Sequence, residues 1–149
     1  MGVRRALRAA VLALICDTGV LYAAAASRDV NHDRCRRLLE DWPDPLIVPA
    51  PVVVELDWLA HARGVAAISN AFLRTIEGGG VAVEDLTPAD YSRVRELSSR
   101  YEDLPLGLVD AAVVAIAERL RERVIATLDH RHFSVVRPRH LRGLTLLPD

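Results

Sequence analysis

Two acidic residues follow short apolar runs that have the length and composition of buried β-strands. Asp17 comes directly after the run that ends at Cys16, and Asp129 lies shortly after the run that begins at Val124. In an open parallel sheet, ligands bind outside the carboxyl ends of the strands, where the strand order reverses. If these runs are neighbouring parallel strands, Asp17 and Asp129 point into one crevice.

Two further acids share the apolar face of a predicted helix. Glu55 has Val52 and Leu59 as its i−3 and i+4 neighbours, so it lies on the stripe that should face the sheet. Asp57 falls on another face of the same helix. Asp110 lies on a second such stripe, with valine or alanine at i+3, i+4 and i+7. An unpaired buried carboxylate is costly, so these positions indicate a function.

Each acid taken alone also has a structural interpretation. Asp17 would cap the next turn, Asp110 would be a helix N-cap, and Asp129 would begin a surface turn. Taken together, Asp17, Glu55, Asp110 and Asp129 predict a shared site, in which mutual repulsion raises pKa values unless a cation binds. All-oxygen ligands select Mg²⁺, with Mn²⁺ as a substitute, and such an ion polarises a phosphodiester and activates water. The predicted chemistry is metal-assisted phosphodiester hydrolysis.

These acids must be positioned by an α/β fold, because short apolar runs alternate with longer helical patterns. We expect a three-layer α/β/α sandwich with a central parallel sheet of four to five strands. Thr87 followed by Pro88 and Asp90 predicts a capping box at the start of one helix. The predicted strands lie near residues 11–16, 46–48, 81–84, 124–127 and 144–146. The predicted helices cover residues 19–26, 31–41, 52–63, 65–76, 88–100 and 108–121.

The composition limits both the fold and the chemistry. The 149 residues are 51% hydrophobic and 26% charged, which suits a single domain over residues 1–149. The chain contains no lysine, so all 19 basic residues are arginine, and mechanisms that need an amine are excluded. The formal net charge of -1 and the 5% aromatic content argue against an extended basic face or a broad stacking platform for nucleic acid. Any nucleic acid should therefore be recognised locally.

The N-terminal segment has some features of a signal peptide, because Arg4, Arg5 and Arg8 precede an apolar stretch. We interpret the end of that stretch as the first strand and residues 1–8 as a loose leader, since cleavage would remove the centre of the sheet. The stretch is too short to span a bilayer, so no membrane anchor is predicted. Cys16 and Cys35 belong to no CxxC pair, which favours a reduced, cytoplasmic location.

Five segments of the chain resemble the PIN-domain ribonucleases, specifically the VapC toxins of bacterial toxin–antitoxin pairs. They are ICDTGVL at 15–21, VVEL at 53–56, YEDLPLGLVDAA at 101–112, ATLD at 126–129 and HF at 132–133. The resemblance covers nearly the whole chain and includes four acids in order at family-like spacing. It departs from many relatives in the basic, apolar leader ahead of Asp17.

The resemblance implies a role for each site residue. Asp17, Glu55 and Asp110 would form the acidic metal site, and Asp129 would be a fourth acid that acts through water or a second ion. The hydroxyls of Thr18 and Thr127 would support the cluster by hydrogen bonding. The implied protein is a Mg²⁺-dependent endoribonuclease toxin that is bound by a small VapB-like antitoxin and forms a homodimer.

A basic segment directly after Asp129 could hold the RNA substrate. Residues 130–147 contain no acid, and we expect their arginines to guide the phosphate backbone toward the metal site. The alternative is an ordinary solvated C-terminal edge. We expect His130 and His132 to be surface residues and not metal ligands. The basic residues of this segment are Arg131, Arg137, Arg139 and Arg142, together with His130, His132 and His140.

Two other functions stay open from the sequence. One is a catalytically inactive PIN-like scaffold that binds RNA, which the intact set of acids opposes. The other is a metal-dependent phosphatase on a similar fold, which the absence of lysine and of a paired DxD motif at Asp17 disfavours. Cleavage of RNA with Mg²⁺ or Mn²⁺ would distinguish an endoribonuclease from both alternatives.

Overall fold

The computed structural model describes residues 12–149, which contain one parallel sheet. The sheet has the strand order β3-β2-β1-β4-β5. Val11, with which the first strand was predicted to begin, and the predicted leader of residues 1–8 lie outside the described residues. The strands are β1 (Leu14–Cys16), β2 (Leu46–Pro49), β3 (Ala82–Glu84), β4 (Val124–Ala126) and β5 (Thr145–Leu147).

Seven helices pack around this sheet within residues 12–149, which confirms the predicted α/β/α sandwich. Six of them match predicted helices to within two residues at each end. The seventh, α7, was not predicted because its six residues are too few to show a helical period. The helices are α1 (Thr18–Ala25), α2 (His32–Asp41), α3 (Ala50–Ala62), α4 (Ala66–Glu77), α5 (Pro88–Arg100), α6 (Leu108–Leu120) and α7 (His130–Val135).

The order of the strands brings two carboxyl ends together at the centre of the sheet. β2 and β3 are added on one side of β1, and β4 and β5 on the other, so the strand order reverses beside β1. Cys16 and Ala126, the last residues of β1 and β4, are partners in the parallel register. Both strands are wholly buried, as expected of central parallel strands covered on both faces. The residues that directly follow Cys16 and Ala126 therefore lie at the same edge of the sheet.

The helix that follows β3 begins with the predicted capping box. The hydroxyl oxygen of Thr87 accepts a hydrogen bond from the N–H of Asp90 at 3.2 Å, and Oδ2 of Asp90 accepts one from the N–H of Thr87 at 3.0 Å. α5 packs against α6, whose central residues are buried, and α6 in turn contacts β1 and β2. The capping box therefore fixes the start of the helix that supports α6.

Ion pairs join α5 to the C-terminal end of α6, opposite the end that carries Asp110. The guanidinium of Arg93 donates two hydrogen bonds of 2.8 Å to the carboxylate of Glu118, and both side chains are only 9% exposed. Arg119 donates to Asp90 at 3.0 Å and to Glu84 at 2.7 Å, which adds a link to β3. A two-point contact of this kind fixes the relative orientation of the two helices.

The helices are short and the two cysteines are unpaired within the part of the chain that the structure describes. Among residues 12–149, no helix combines the length and the apolar character that a membrane crossing requires. Cys16 and Cys35 are buried and free. Burial, with a smaller contribution from Asp17, raises the pKa of the Cys16 thiol to about 12, so this thiol stays protonated beneath the site.

The pair between Arg93 and Glu118 should dominate the polar contribution to stability. Arg93→Ala leaves the buried carboxylate of Glu118 without its guanidinium, so we expect the free energy of unfolding to fall by about 3 kcal/mol. Arg36→Ala removes an exposed pair with Glu40 on α2 and should cost less than about 0.5 kcal/mol. Urea denaturation of both variants measures the difference, and equal effects would contradict it.

Candidate active site

The hydroxyl of Thr127 connects two acids at the carboxyl ends of β1 and β4. Its Oγ1 donates a hydrogen bond to Oδ2 of Asp17 at 2.9 Å and accepts one from the N–H of Asp129 at 3.0 Å. Thr127 is fully buried and Asp17 is 7% exposed. Asp17 and Asp129 therefore meet at one edge of the sheet, and the Thr127 hydroxyl makes the hydrogen bond to the acids that was expected of it.

The backbone at Asp17 is held as firmly as its side chain. Its N–H donates to the carbonyl of Ala126 at 2.9 Å, and Oδ1 accepts the N–H of Thr18 at 2.9 Å, so Asp17 is the N-cap of α1. The predicted hydrogen bond from the Thr18 hydroxyl is wrong, because within the described residues this buried oxygen has no partner. Thr18 supports the cluster through its backbone N–H.

The other two acids approach from helices. Asp110 lies in the first turn of α6 and is half-buried, and Gly107 is the N-cap, so the alternative of Asp110 as a cap is wrong. Glu55 lies on α3 and is half-buried. The buried stripe of α3 consists of Val52, Leu56 and Ala60, so Glu55 borders that stripe and is not part of the core, which corrects the expectation.

A histidine that was expected at the surface lies among these acids. Nδ1 of His132 is 2.7 Å from Oδ2 of Asp129 and 3.4 Å from Oδ2 of Asp110. The reason is α7, which Asp129 caps through Oδ1 and the N–H of His132 at 3.1 Å, while Phe133 is buried in the core. The expectation of an exposed His132 is therefore wrong. Its helical i+3 spacing from Asp129 was the signal in the sequence.

The carboxylates disfavour one another's charge. Burial raises the pKa of Asp17 to about 6, with the Thr18 N–H and the Thr127 hydroxyl opposing this and the charges of Asp110 and Glu55 adding to it. Burial also raises the pKa of Asp110, and Asp129 raises it further, whereas His132 lowers it. Asp110 is the centre of the cluster, because its charge interacts with each of the other three acids.

The arrangement suits a divalent cation. Ligand atoms of Asp110, Asp129 and His132 all lie within 4.8 Å of one another. Asp17 and Glu55 are close enough to interact electrostatically with the carboxylate of Asp110. Asp17, Asp110 and Asp129 also stand at the N-termini of three helices, whose backbone dipoles offset part of the repulsion. Carboxylates are the ligands that Mg²⁺ and Mn²⁺ prefer, so the chemistry of this donor set fits such an ion.

Part of the basic segment at residues 130–147 lies away from the acids, although the whole segment was expected to guide RNA toward them. Arg139 pairs with Glu96, and its N–H donates to Glu118, which is eight residues along α6 from Asp110, or about 12 Å. The guanidinium of Arg137 donates to the carbonyl of Arg142. The expectation that Arg139 guides phosphate toward the acids is therefore wrong, because an ion pair holds it at the other end of α6.

Comparison with known proteins identifies the family. The PIN domain model matches residues 14–137. The ribonuclease VapC26 of Mycobacterium tuberculosis is 33% identical over 135 residues, which cover 91% of this chain and all of that protein. The chain belongs to the VapC family of PIN-domain ribonucleases. The resemblance on which the sequence prediction depended is thereby confirmed.

Solved structures of VapC-like toxins share the fold of this PIN domain. The structure of M. tuberculosis VapC20, described as a toxin that cleaves the sarcin-ricin loop, superposes with a TM-score of 0.77 at 20% identity, covering 87% of this chain and 99% of that one. A toxin–antitoxin complex from Klebsiella pneumoniae gives a TM-score of 0.65 at 18% identity, with 91% and 96% covered. At these identities the likeness supports the architecture of the VapC fold.

The raised pKa of Asp17 predicts how the metal-free protein responds to pH. The folded pKa is about 6, above the ordinary 3.8. The stabilising contribution of this carboxyl to the free energy of unfolding is therefore complete below pH 3.8 and is lost as the pH rises through about 6. Asp17→Asn removes the charge at nearly constant shape. In chelator at neutral pH we expect the variant to be more stable than the parent by ~0.5–2 kcal/mol, and the difference to vanish near pH 4.

Thermal melts of both proteins, with chelator and with Mg²⁺, measure this effect. Because a ligand that binds only the folded state stabilises it by mass action, the Asn variant should gain less from Mg²⁺ than the parent. An Asn variant that melts lower in chelator at both pH values, yet gains as much from Mg²⁺, would show that Asp17 is only a helix cap.

Proposed function

We propose that this protein is the toxin of a toxin–antitoxin pair and hydrolyses RNA phosphodiester bonds with Mg²⁺ held by Asp17, Glu55, Asp110 and Asp129. One observation carries the proposal: four acids from three helix N-termini and α3 converge where the strand order reverses beside β1. This is the position at which open parallel sheets bind ligands. Membership of the VapC family supports the same activity.

Each residue of the site has its own proposed role. Asp17 and Asp110 would be the direct metal ligands, because burial and the neighbouring acids raise the pKa of both carboxyls when no cation is bound. Asp129 and Glu55 would act beside them, through water or a second ion. Thr127 holds Asp17 in one orientation by its hydrogen bond. When bound, Mg²⁺ or its substitute Mn²⁺ would polarise the phosphodiester and activate a water for attack.

The proposed substrate is RNA that is recognised locally, within the cytoplasm. The formal net charge of -1 does not supply an extended basic surface, and Arg139 is held in an ion pair. Arg131 is exposed on α7, next to His132, and is the arginine of the basic segment best placed to contact phosphate near the acids. Such a site fits one exposed loop of a folded RNA better than a long single strand.

A VapB-like antitoxin is the proposed partner. The solved relatives include toxin–antitoxin complexes from Klebsiella pneumoniae, Rickettsia felis and Salmonella typhimurium, and they share this fold. A basic side chain of the antitoxin could enter the acid cluster, where charge-assisted hydrogen bonds would compete with the metal and with RNA. The host would thereby be protected from the free nuclease.

The homodimer is proposed through an apolar face beside the site. Val54 and Trp58 on α3, Leu108 at the start of α6 and Tyr91 on α5 are each more than half exposed. Val54, Trp58 and Leu108 line a groove together with Glu55, and a second groove continues from Val54 to Tyr91. A contiguous apolar surface of this kind marks an interface. A second copy seated there would bring the two acid clusters close to each other.

Loss of the carboxylates should abolish cleavage and toxicity. Asp17→Ala and Asp110→Ala should each lower Mg²⁺-dependent cleavage of RNA at least about 100-fold and remove growth arrest on overproduction, because the metal loses a ligand. Asp103→Asn, an exposed acid in the turn before α6, is the matched control and should leave both unchanged. Gel assays of RNA fragments with chelator and with added Mg²⁺ measure the effect.

Three results would contradict this assignment. Continued cleavage by both alanine variants would show that the site lies elsewhere. Binding of RNA by the parent without cleavage would favour an inactive scaffold. Hydrolysis of a small phosphomonoester with no effect on RNA would favour a phosphatase.

The apolar face should control self-association. Trp58→Glu places a charge at the centre of the face and should raise the dimer dissociation constant at least about tenfold. Leu73→Glu changes an exposed leucine on α4, outside both grooves, and should leave the dimer intact. Sedimentation velocity over a range of concentrations distinguishes monomer from dimer. Equal behaviour of the two variants would contradict the proposed interface.

A further inference from the structure

The imidazole of His132 has no role in the mechanism given above, yet it lies inside the acid cluster. Nδ1 is inaccessible to solvent, and among the described residues no well-aligned hydrogen bond reaches it, although it is within ion-pair distance of two carboxylates. It is nevertheless 2.7 Å from Oδ2 of Asp129 and 3.4 Å from Oδ2 of Asp110. The nitrogen therefore lies beside two carboxylate oxygens without being aligned on either of them.

These separations are ion-pair distances, and they are also short enough for the three atoms to share one cation. Neighbouring ligands of an octahedral ion, at about 2.1 Å from the metal, are about 3 Å apart. The distances from Nδ1 of His132 to the oxygens of Asp129 and Asp110 lie on either side of that value.

The chain fixes the backbone that carries this ring. The N–H of His132 donates to Oδ1 of Asp129 at 3.1 Å, and the N–H of Asp129 donates to Thr127 at 3.0 Å. The next residue, Phe133, is 1% exposed and anchors α7 in the core. The position of the imidazole is therefore set by the same contacts that place Asp129, and it does not depend on a flexible loop.

We propose that Nδ1 of His132 is a metal ligand beside Asp110 and Asp129, and that this nitrogen shifts the site from Mg²⁺ toward a first-row transition ion such as Mn²⁺. The inference rests on the proposed function, since it refines which residues hold the metal. Mg²⁺ strongly prefers oxygen, whereas imidazole is a better ligand for transition ions. A purely acidic site would not discriminate in this way.

Electron paramagnetic resonance of Mn²⁺ bound to the full chain tests this directly. In the parent protein, the electron spin echo of Mn²⁺ should be modulated by a coupled nitrogen nucleus. Incorporation of ¹⁵N-histidine should change the frequency of that modulation. His132→Gln should remove the nitrogen signal and raise the Mn²⁺ dissociation constant at least about tenfold. The Mg²⁺ constant, measured by competition, should change less than about threefold because Mg²⁺ gains little from nitrogen.

His130→Gln is the matched control. His130 is on the same short helix, but its Nε2 contacts the backbone carbonyl of Thr127 at 3.1 Å and not the acids. This variant should keep the nitrogen signal and the Mn²⁺ affinity of the parent. If His132→Gln does not fold, the isotope shift in the parent still decides whether a histidine nitrogen is bound to the ion.

Asp110→Asn separates this inference from the proposed function. Mn²⁺ that binds the parent without nitrogen coupling, and binds Asp110→Asn weakly, would overturn the role of His132 and leave the acidic site in place. Mn²⁺ that fails to bind the parent, or binds Asp110→Asn equally well, would overturn the metal site itself. Loss of the nitrogen signal in His130→Gln and its retention in His132→Gln would also overturn the proposal.

Discussion

The hydroxyl of Thr127 is the contact on which the geometry of the site depends. It donates to Asp17 at the end of β1 and accepts from the N–H of Asp129 beyond β4, so a single buried oxygen sets the positions of two acids from different parts of the chain. Because it is fully buried, water does not compete for either bond. The parallel pairing of Cys16 with Ala126 brings these chain segments together in the first place.

The second constraint is electrostatic, since the fold holds several like charges close together. Burial and the neighbouring acids raise the pKa values of Asp17 and Asp110, which costs stability when both are ionised. Three helix N-termini and the Thr18 N–H offset part of this cost. A divalent cation would relieve the remaining repulsion, so the instability of the metal-free cluster and its proposed affinity for metal would have the same origin.

The parts of the protein away from the cluster keep it in place. α6 carries Asp110 in its first turn and is tied near its other end to α5 by Arg93 and Glu118. An ion pair that is buried and held at two points resists sliding of the two helices. Arg139 belongs to this same polar network, which explains why a basic residue close to the site in sequence is remote from it in space.

The sequence alone determined the fold class, most helix boundaries and which acids follow or face the central strands, because these depend on local periodicity, capping and spacing. The Thr87 capping box and the placement of Asp17 after β1 are examples. Tertiary structure decided the features that depend on contacts between distant segments of the chain. It placed Glu55 at the edge of the buried stripe on α3, and it formed α7, whose six residues show no period. His132 enters the acid cluster on a helix that Asp129 caps and Phe133 anchors in the core, and no local pattern encodes which buried residue a short helix will use as its anchor.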